Sequence, residues 1–358
     1  MSLEQPQHVV LTNPALRGLE YGMLRDFEDE IVRLTGAERV MAPCRSLPAF
    51  IGGRVKHGTR YSGARQWLPK EEYDLKADVL WVVLMGPENF TLDLFKGWDR
   101  NVGTKILYFF DTYDAQLPSI RRVLRSSNWD FTSTALYGAK PFLEEETQRE
   151  WHLVRHAVNL DRFQPSPKVT RVIDFCAYGR RFEPIHKAMR DYCRRNGKYY
   201  DYTTTASVQP ELDPREHYGQ YAWHLIHSVF NFCWPMELTD PVRAKAHSPI
   251  TCRWFEAAAS GNVILGQAPL EPGFAKLFGH DAIIDIDQAR GDLPSLWDSL
   301  WQKREPLLER SLERRKKLSH LWSWESRIQQ ILRTLDLSHE GRPLTNIEQG
   351  EYEAALTP

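Results

Sequence analysis

Two uninterrupted apolar runs, residues 79–84 and 106–110, most constrain the fold of this 358-residue chain. A strand covered on one face alternates apolar and polar residues, whereas a strand covered on both faces of a parallel sheet is apolar throughout. Segments with the apolar spacing of a helix alternate with such runs, and this alternation predicts a doubly wound α/β domain. The other predicted elements of this series are strands at 8–12, 39–41 and 131–134 and helices at 19–34 and 119–125.

A second strand–helix series follows a proline-bearing joint at residues 163–167 (FQPSP), which suits a linker between domains. Its predicted strands lie at 171–177, 199–203, 228–232, 262–265 and 282–286, and its predicted helices at 184–196, 252–260 and 294–320. Ligands of such sheets bind at the carboxyl ends of the strands. We therefore expect two Rossmann-like, doubly wound α/β domains that face each other across a cleft.

Composition excludes several classes of protein. Basic and acidic side chains number 46 and 47, so the net charge of −1 gives no global field for nucleic acid or for an anionic membrane. No apolar run approaches the about 20 residues of a transmembrane helix, and the first residues (MSLEQPQ) lack the features of a signal peptide. The five cysteines are scattered, without a C-x-x-C pair. These features predict a cytoplasmic protein with reduced cysteines.

Common cofactor, phosphate and hydrolase signatures are absent from the sequence, among them G-x-G-x-x-G, G-K-[ST], G-x-S-x-G and H-E-x-x-H. Asp285 and Asp287 form a D-x-D pattern that holds a metal in one class of sugar transferase. The pattern lies at the end of a late predicted strand, so an ordinary strand end is the favoured interpretation. No metal site is predicted.

The segment after the first strand of the second series, residues 178–187 (YGRRFEPIHK), is a candidate anion site. Gly179 lets a ligand approach the backbone, and the N-terminus of the following helix offers free N–H groups. Arg180, Arg181 and Lys187 supply cations that suit a diphosphate. A tight strand–helix turn with solvated arginines explains the same residues equally well.

Residues 251–265 predict a short helix of small residues that stops at Gly261 and leads into a buried strand. Glu256 is a lone carboxylate in this helix, and it could accept hydrogen bonds from two hydroxyls of a ribose or another sugar. The alternative is a surface glutamate paired with Arg253 three residues earlier, a contact that contributes only about 0.2–0.5 kcal/mol.

These segments, in their order, resemble the GT-B glycosyltransferases of the group-1 (retaining, family-4-like) superfamily, and within it the CgeB-like branch. Residues 253–261 match that branch's R-x-F-E-A-x-A-x-G donor helix, and residues 179–181 match its G-R-R phosphate turn. Residues 156–165 (HAVNLDRFQP) are similar to the superfamily's domain junction, and residues 320–327 (HLWSWESR) are similar to its final helix. The resemblance extends from about residue 100 to residue 332.

The resemblance implies a GT-B fold in three parts. Residues 1–165 would form an acceptor-side domain, residues 166–320 a nucleotide-sugar domain, and residues 321–358 a helix and tail that pack back on the first domain. It also implies donor-binding residues, with the diphosphate on the glycine turn and the ribose on the glutamate. These candidates are Gly179, Arg180, Arg181, Lys187, Arg253 and Glu256.

Two further positions follow from the resemblance. Relatives carry a second glutamate that reads the donor sugar; here Ser248 stands at that position, and Glu237 or Asp240 could substitute. Relatives also place a His or Asp near the acceptor at the strand end where Asp111 lies, which makes Asp111 the catalytic candidate for orienting or deprotonating an acceptor hydroxyl. An N-cap role for Asp111 in the next helix or turn is the alternative.

Residues 52–70 combine five Lys/Arg with four glycines, two aromatics and no acidic residue. Arginine forks bind anionic oxygens and aromatic rings pack on sugar faces, so Arg54, Arg60, Arg65 and Trp67 are acceptor-binding candidates. An acidic or phosphorylated glycan or an anionic lipid headgroup would suit them. A solvated loop between strands is the alternative.

The predicted function is therefore a glycosyltransferase that moves a sugar from a nucleotide sugar to a glycan or lipid-linked acceptor. No metal or other cofactor is expected, because helix N-termini and Arg/Lys side chains can neutralise a leaving diphosphate. Retention of configuration is implied by the resemblance alone. The alternatives are a non-catalytic or degenerate sugar-nucleotide-binding protein and a sugar-nucleotide epimerase of the same fold. No nucleic-acid partner is expected, and peripheral contact with the inner face of the membrane is compatible with the basic segment.

Overall fold

The computed structural model describes residues 7–13, 16, 21–42, 70–203, 213–244, 248–286 and 292–337. These residues group into two compact units. The first contains the described residues up to Arg155 together with 330–337, and the second contains those from His156 to Gln329. Each unit is built around its own parallel sheet.

The strands of the first unit are β1 (His8–Thr12), β2 (Glu38–Met41), β3 (Glu71–Glu72), β4 (Lys76–Leu84), β5 (Phe95–Lys96), β6 (Asn101–Phe109), β7 (Phe131–Thr134) and β8 (His152–Leu153). Six of them form a parallel sheet in the order β2-β1-β4-β6-β7-β8, and β3 pairs with β5. The helices that connect them are α1 (Gly22–Thr35), α2 (Leu117–Leu124) and α3 (Ala139–Thr147).

The two apolar runs form the centre of the first sheet, in β4 and β6. Every residue of 79–84 and of 106–109 is buried, because both faces of these central strands are covered. The prediction of parallel, doubly covered strands is confirmed. Helix α1 is described from Gly22 onwards, whereas the predicted start at Leu19 lies outside the described residues. The helix ends where predicted, at a left-handed Gly36 with φ of 65°.

The strands of the second unit are β9 (Ile173–Ala177), β10 (Tyr200–Tyr202), β11 (Ser228–Cys233), β12 (Val263–Gly266) and β13 (Ile283–Asp285). All five predicted strands are confirmed, and they form one parallel sheet in the order β10-β9-β11-β12-β13. The helices are α4 (Glu183–Asn196), α5 (Pro214–Ile226), α6 (Met236–Thr239), α7 (Pro241–Ala244), α8 (Cys252–Ala259), α9 (Phe274–Phe278), α10 (Leu293–Gln302), α11 (Arg304–Leu318) and α12 (Trp324–Thr334).

The second sheet reverses its strand order between β9 and β11. Strand β10 lies on one side of β9, whereas β11, β12 and β13 follow on the other. In open parallel sheets a ligand binds outside the carboxyl ends of the strands at such a reversal. The segments that follow β9 and β11 are therefore where the fold favours a ligand.

The division of the chain differs from the expected domains at both ends of the second unit. Residue 165, the expected end of the first domain, lies within the second unit, because the preceding segment packs there: Phe163 is fully buried and its ring lies 5.5 Å from that of Tyr218. The C-terminal segment is divided, with 321–329 in the second unit and 330–337 in the first.

Two helix predictions for the second unit require correction. The single helix expected at 294–320 is two helices, α10 and α11, which are separated at Lys303. Pro306 lacks an N–H, and it is tolerated only because the break places it in the first turn of α11. Helix α5 was not predicted, because its aromatic and polar residues follow no apolar stripe.

Candidate functional site

The turn between β9 and α4 lies at the strand reversal of the second sheet, and Gly179 is its exposed apex. Gly179 has φ of +78°, a conformation that L side chains rarely adopt. A Cβ atom at this position would lie 2.0 Å from Nη2 of Arg253. The turn therefore needs glycine for its backbone conformation and for the close approach of this guanidinium.

Arg253 lies in the first turn of α8, and its guanidinium packs directly on the backbone of Gly179. Among the described residues, this guanidinium has no hydrogen-bond or ion-pair partner, although the backbone carbonyl of Arg253 accepts a hydrogen bond from the Cys233 thiol. A cation without a counter-ion on an exposed glycine turn is suited to bind an anion.

The other predicted cations of this segment differ in their roles. Arg181 donates to the carbonyl of Thr203 at 2.7 Å, and its guanidinium lies 5.6 Å from the ring centroid of Tyr202, so it braces the turn. Arg180 lies 3.9 Å from the carboxylate of Asp240, which follows α6. Lys187 is exposed on α4. Arg180 thus joins the segments that follow β9 and β11.

Glu256 is buried in α8, with 2% of its surface exposed. Its Oε1 accepts a hydrogen bond from the hydroxyl of Tyr218 at 2.6 Å, and its Oε2 accepts one from Tyr221 at 2.8 Å. The interpretation as a surface glutamate paired with Arg253 is therefore wrong. Ribose binding by Glu256 remains a prediction.

A second carboxylate lies on the same side of the sheet as α5. Asp201 of β10 accepts a hydrogen bond from the hydroxyl of Tyr178 at 3.0 Å and pairs with Nδ1 of His224. Burial, followed by the charge of Asp201, raises the pKa of Tyr178 well above its usual value, so Tyr178 remains a donor. The rings of Tyr178 and Tyr221 lie 5.2 Å apart, which connects the two carboxylate clusters.

Sequence reasoning missed the α5 residues of this network. Tyr218, Tyr221 and His224 are spaced by three residues, which places them along one face of the helix. The one signal in the sequence is the recurrence of polar aromatic residues at every third position. The helix itself was missing from the prediction, so the spacing carried no meaning.

Glu237 lies beside Ser248, the residue that stands at the expected second-glutamate position. The Ser248 hydroxyl donates to Oε1 of Glu237 and accepts a hydrogen bond from the N–H of Leu270 at 2.8 Å. Oε2 of Glu237 is buried and has no hydrogen-bond partner among the described residues. The structure thus brings together Ser248 and one of its two suggested substitutes, while Asp240 pairs with Arg180 instead.

In the first unit, Asp111 follows β6, where its N–H donates to the carbonyl of Met85 at 2.8 Å. The hydroxyl of Tyr113 donates to Oδ1 of Asp111 at 3.3 Å. The next turn of 3-10 helix, Asp114–Gln116, is capped by Tyr113. The N-cap interpretation of Asp111 is therefore wrong, and its catalytic role remains a prediction.

The predicted acceptor residues Arg54, Arg60, Arg65 and Trp67 lie outside the described residues. Within the described ranges, no group of three or more His, Cys, Asp or Glu residues is arranged to hold a metal ion. Asp285 is the exposed last residue of β13, and Asp287 lies outside the described ranges. The helices of the described part are all too short or too polar to cross a membrane.

Two doubly wound parallel sheets follow one another along the chain, and the second carries the Gly179 turn and the Arg253 guanidinium at its strand reversal. Anabaena HepE in complex with UDP and glucose is similar to this chain, with a TM-score of 0.51, 9% identity and coverage of 93% of this chain and 100% of that chain. The HepE complex with UDP-glucose gives a TM-score of 0.50 at the same identity and coverage.

The sucrose-phosphate synthase of Thermosynechococcus elongatus is also similar, with a TM-score of 0.49, 11% identity and coverage of 92% of this chain and 99% of that chain. No protein-family model and no curated protein matches the sequence. The similarity to HepE confirms the predicted fold class of two Rossmann-like α/β domains of the GT-B type.

Proposed function

We propose that this protein is a glycosyltransferase that moves a sugar from a nucleotide-sugar donor to a glycan or lipid-linked acceptor. The fold supports this proposal, and the HepE structures of the same fold contain UDP, glucose and UDP-glucose. The branch of CgeB-like, retaining enzymes is proposed from the sequence motifs, and a cytoplasmic location with peripheral membrane contact is proposed from composition.

One observation carries the proposal. The guanidinium of Arg253 lies on the exposed Gly179 turn, without an ion-pair partner among the described residues. Guanidinium groups bind phosphate oxygens through paired, charge-assisted hydrogen bonds. The turn also opens α4, whose N-terminal N–H groups favour an anion. A diphosphate fits both features.

Two carboxylates of the second unit are candidate partners for the ribose and the sugar of the donor. Glu256 lies one helical turn after Arg253 on α8, where a carboxylate can accept hydrogen bonds from ribose hydroxyls. Glu237, which Ser248 orients, presents a second carboxylate in the segment that follows β11. We propose that Glu237 takes the place of the missing second glutamate and accepts hydrogen bonds from the donor sugar.

The bond between the sugar and the diphosphate breaks as negative charge develops on the leaving phosphate. Arg253 and the turn amides would stabilise this charge by preorganised hydrogen bonds, so the proposed reaction needs no bound metal. Asp111 is proposed to orient the acceptor hydroxyl, and the basic segment with Arg54, Arg60, Arg65 and Trp67 to bind the acceptor. Retention of configuration is proposed from the resemblance.

A turnover screen tests the proposal. The protein is incubated with labelled UDP-, GDP-, ADP- and CDP-sugars and a panel of acidic glycan and lipid-linked acceptors, and the products are separated by mass spectrometry. A glycosylated acceptor is the expected product. An isomerised nucleotide sugar would indicate an epimerase instead. Tight binding without turnover by any donor would indicate a non-catalytic binding protein.

The variant Arg253→Gln tests whether Arg253 binds the diphosphate of the donor, and Arg194→Gln is its control. Arg194 is an exposed arginine of α4, so the control loses the same charge from the same unit. Loss of hydrogen bonds to a charged phosphate costs about 1.5–3 kcal/mol, which is about 10- to 100-fold in affinity. We expect this loss for Arg253→Gln alone, and equal affinity of both variants for a nucleoside diphosphate would contradict the proposal.

A further inference from the structure

Thr203, which directly follows β10, is tied to the Gly179 turn by three hydrogen bonds. Its N–H donates to the carbonyl of Ala177 at 3.2 Å, and its carbonyl accepts a hydrogen bond from the Arg181 guanidinium at 2.7 Å. The third bond runs from the N–H of Gly179 to the hydroxyl oxygen of Thr203, over 2.8 Å. Only this third bond involves the Thr203 side chain, so the two others keep residue 203 beside the turn if the hydroxyl is removed.

The hydroxyl of Thr203 changes what the turn offers to an anion. The Gly179 N–H already donates to this hydroxyl, so a ligand could use that N–H only by displacing Thr203. A threonine hydroxyl has one proton to donate as well as lone pairs that accept. Because its oxygen accepts here, the proton remains for another acceptor, and none of the described residues provides one. The hydroxyl therefore replaces the glycine amide as a hydrogen-bond donor at the turn.

The Thr203 hydroxyl and the Arg253 guanidinium both contact Gly179, the hydroxyl at its N–H and the guanidinium at its Cα. Thr203 is partly exposed and Gly179 is exposed, so a ligand can reach the turn. A hydroxyl that accepts a hydrogen bond is polarised and becomes a better donor, and an O–H bond to a charged oxygen is stronger than one to a neutral oxygen. An anion bound to the guanidinium is therefore suited to accept the Thr203 proton as well.

We propose that the Thr203 hydroxyl is a further ligand of the donor diphosphate: it accepts the hydrogen bond of Gly179 and donates its own proton to a phosphate oxygen. This inference rests on the proposed function, because it adds a second hydrogen-bond donor to the Arg253 site. The opposite role makes a different prediction. A hydroxyl that only occupied the Gly179 N–H would compete with the diphosphate, and its removal would free that N–H for a phosphate oxygen.

Titration calorimetry of Thr203→Val separates these roles, since valine keeps the shape of threonine and lacks the hydroxyl. The probe is whichever of UDP, GDP, ADP and CDP binds the unchanged protein most tightly, together with its nucleoside. The matched control, Thr147→Val, removes a hydroxyl that donates to the carbonyl of Leu143 in α3. A lost hydrogen bond to a charged group predicts a loss of diphosphate affinity of about tenfold or more for Thr203→Val. We expect no loss for the nucleoside or in the control, and Thr203→Ser should bind the diphosphate within about threefold of the unchanged protein.

An unchanged or higher diphosphate affinity of Thr203→Val would overturn the inference and leave the proposed function intact, and so would a loss that Thr203→Ser does not restore. A crystal structure of the diphosphate complex distinguishes a direct bond from an effect on the turn, and it decides the inference if Thr203→Val fails to fold. Oγ1 of Thr203 should lie about 2.5–3.0 Å from a phosphate oxygen, and a diphosphate beyond hydrogen-bonding distance would overturn the inference. If the unchanged protein binds none of the four nucleoside diphosphates, the proposed function fails and the inference falls with it.

Discussion

Replacement of Gly179 by alanine perturbs the candidate diphosphate site through a single methyl group. The new Cβ would lie 2.0 Å from Nη2 and 2.2 Å from Cζ of Arg253, so the guanidinium must leave the turn. Gly197 offers a matched control, because it has φ of +59° at the C-terminus of α4 and an added Cβ meets no atom within 4 Å. The two substitutions share the backbone strain and differ only in the displacement of Arg253.

The backbone strain should reduce the stability of both variants, and the displacement of Arg253 should reduce the diphosphate affinity of one. A left-handed alanine costs about 1–2 kcal/mol of stability at either position. Arg253 is a flexible side chain that can move away, so Gly179→Ala should add little to this cost. If the guanidinium binds the diphosphate, its displacement removes about 1.5–3 kcal/mol of binding free energy, or about 10- to 100-fold in affinity. Gly197→Ala should leave the affinity unchanged.

Urea denaturation measures the loss of stability. Titration calorimetry with a nucleoside diphosphate and with the matching nucleoside measures the loss of binding free energy. We expect similar stabilities for the two variants, a large loss of diphosphate affinity for Gly179→Ala, and no loss of nucleoside affinity for either. Equal diphosphate affinity in the two variants, at equal stability, would refute the placement of the diphosphate at this turn.

Three further predictions concern other residues of the second unit. Glu256→Ala should weaken nucleoside diphosphate binding by about 1.5–3 kcal/mol in calorimetry, and an unchanged affinity would remove Glu256 from the site. Glu237→Gln should raise the KM for the nucleotide sugar about tenfold while leaving the affinity for the nucleoside diphosphate unchanged; a parallel loss of both would exclude a role limited to the sugar. Burial lowers the pKa of His186, so the folded protein favours the neutral ring, and the free energy of unfolding should fall as the pH drops below about 6.5. His186→Gln should reduce this pH dependence in urea denaturation, and an identical pH dependence would contradict the assignment to His186.

The fold was predictable because its central strands have an unambiguous pattern. The apolar runs of β4 and β6 and the alternation of strands and helices leave few architectures, and both parallel sheets follow from them. The order of the strands was not predictable from these patterns, because it depends on long-range pairing that periodicity does not encode. The reversal between β9 and β11, which locates the candidate site, therefore required the structure.

The sequence was sufficient to identify the segments that form the candidate site, but it did not reveal the contacts between them. The sequence points to Gly179 and to Glu256, because glycine turns and lone carboxylates in apolar helices are visible locally. The packing of Arg253 on Gly179 joins residues more than seventy positions apart, and local chemistry gives no sign of it. The same holds for the bonds from Tyr218 and Tyr221, since these residues lie in a helix with no amphipathic signal.

Ser248 shows a second reason why the sequence alone could not define the candidate site. A motif comparison identifies the missing glutamate and suggests substitutes at Glu237 and Asp240, without choosing between them. The choice depends on where two short helices turn after β11. There the carboxylate of Glu237 reaches the Ser248 hydroxyl, while Asp240 faces Arg180.

A crystal structure of the protein with the nucleoside diphosphate that binds most tightly tests the placement of the donor most directly. The diphosphate should lie on the turn after β9, with its oxygens within hydrogen-bonding distance, about 2.7–3.2 Å, of the Arg253 guanidinium and of backbone N–H groups of the turn. The ribose hydroxyls should face Glu256. A diphosphate bound elsewhere, with Arg253 still resting on Gly179 and making no contact with it, would contradict the account.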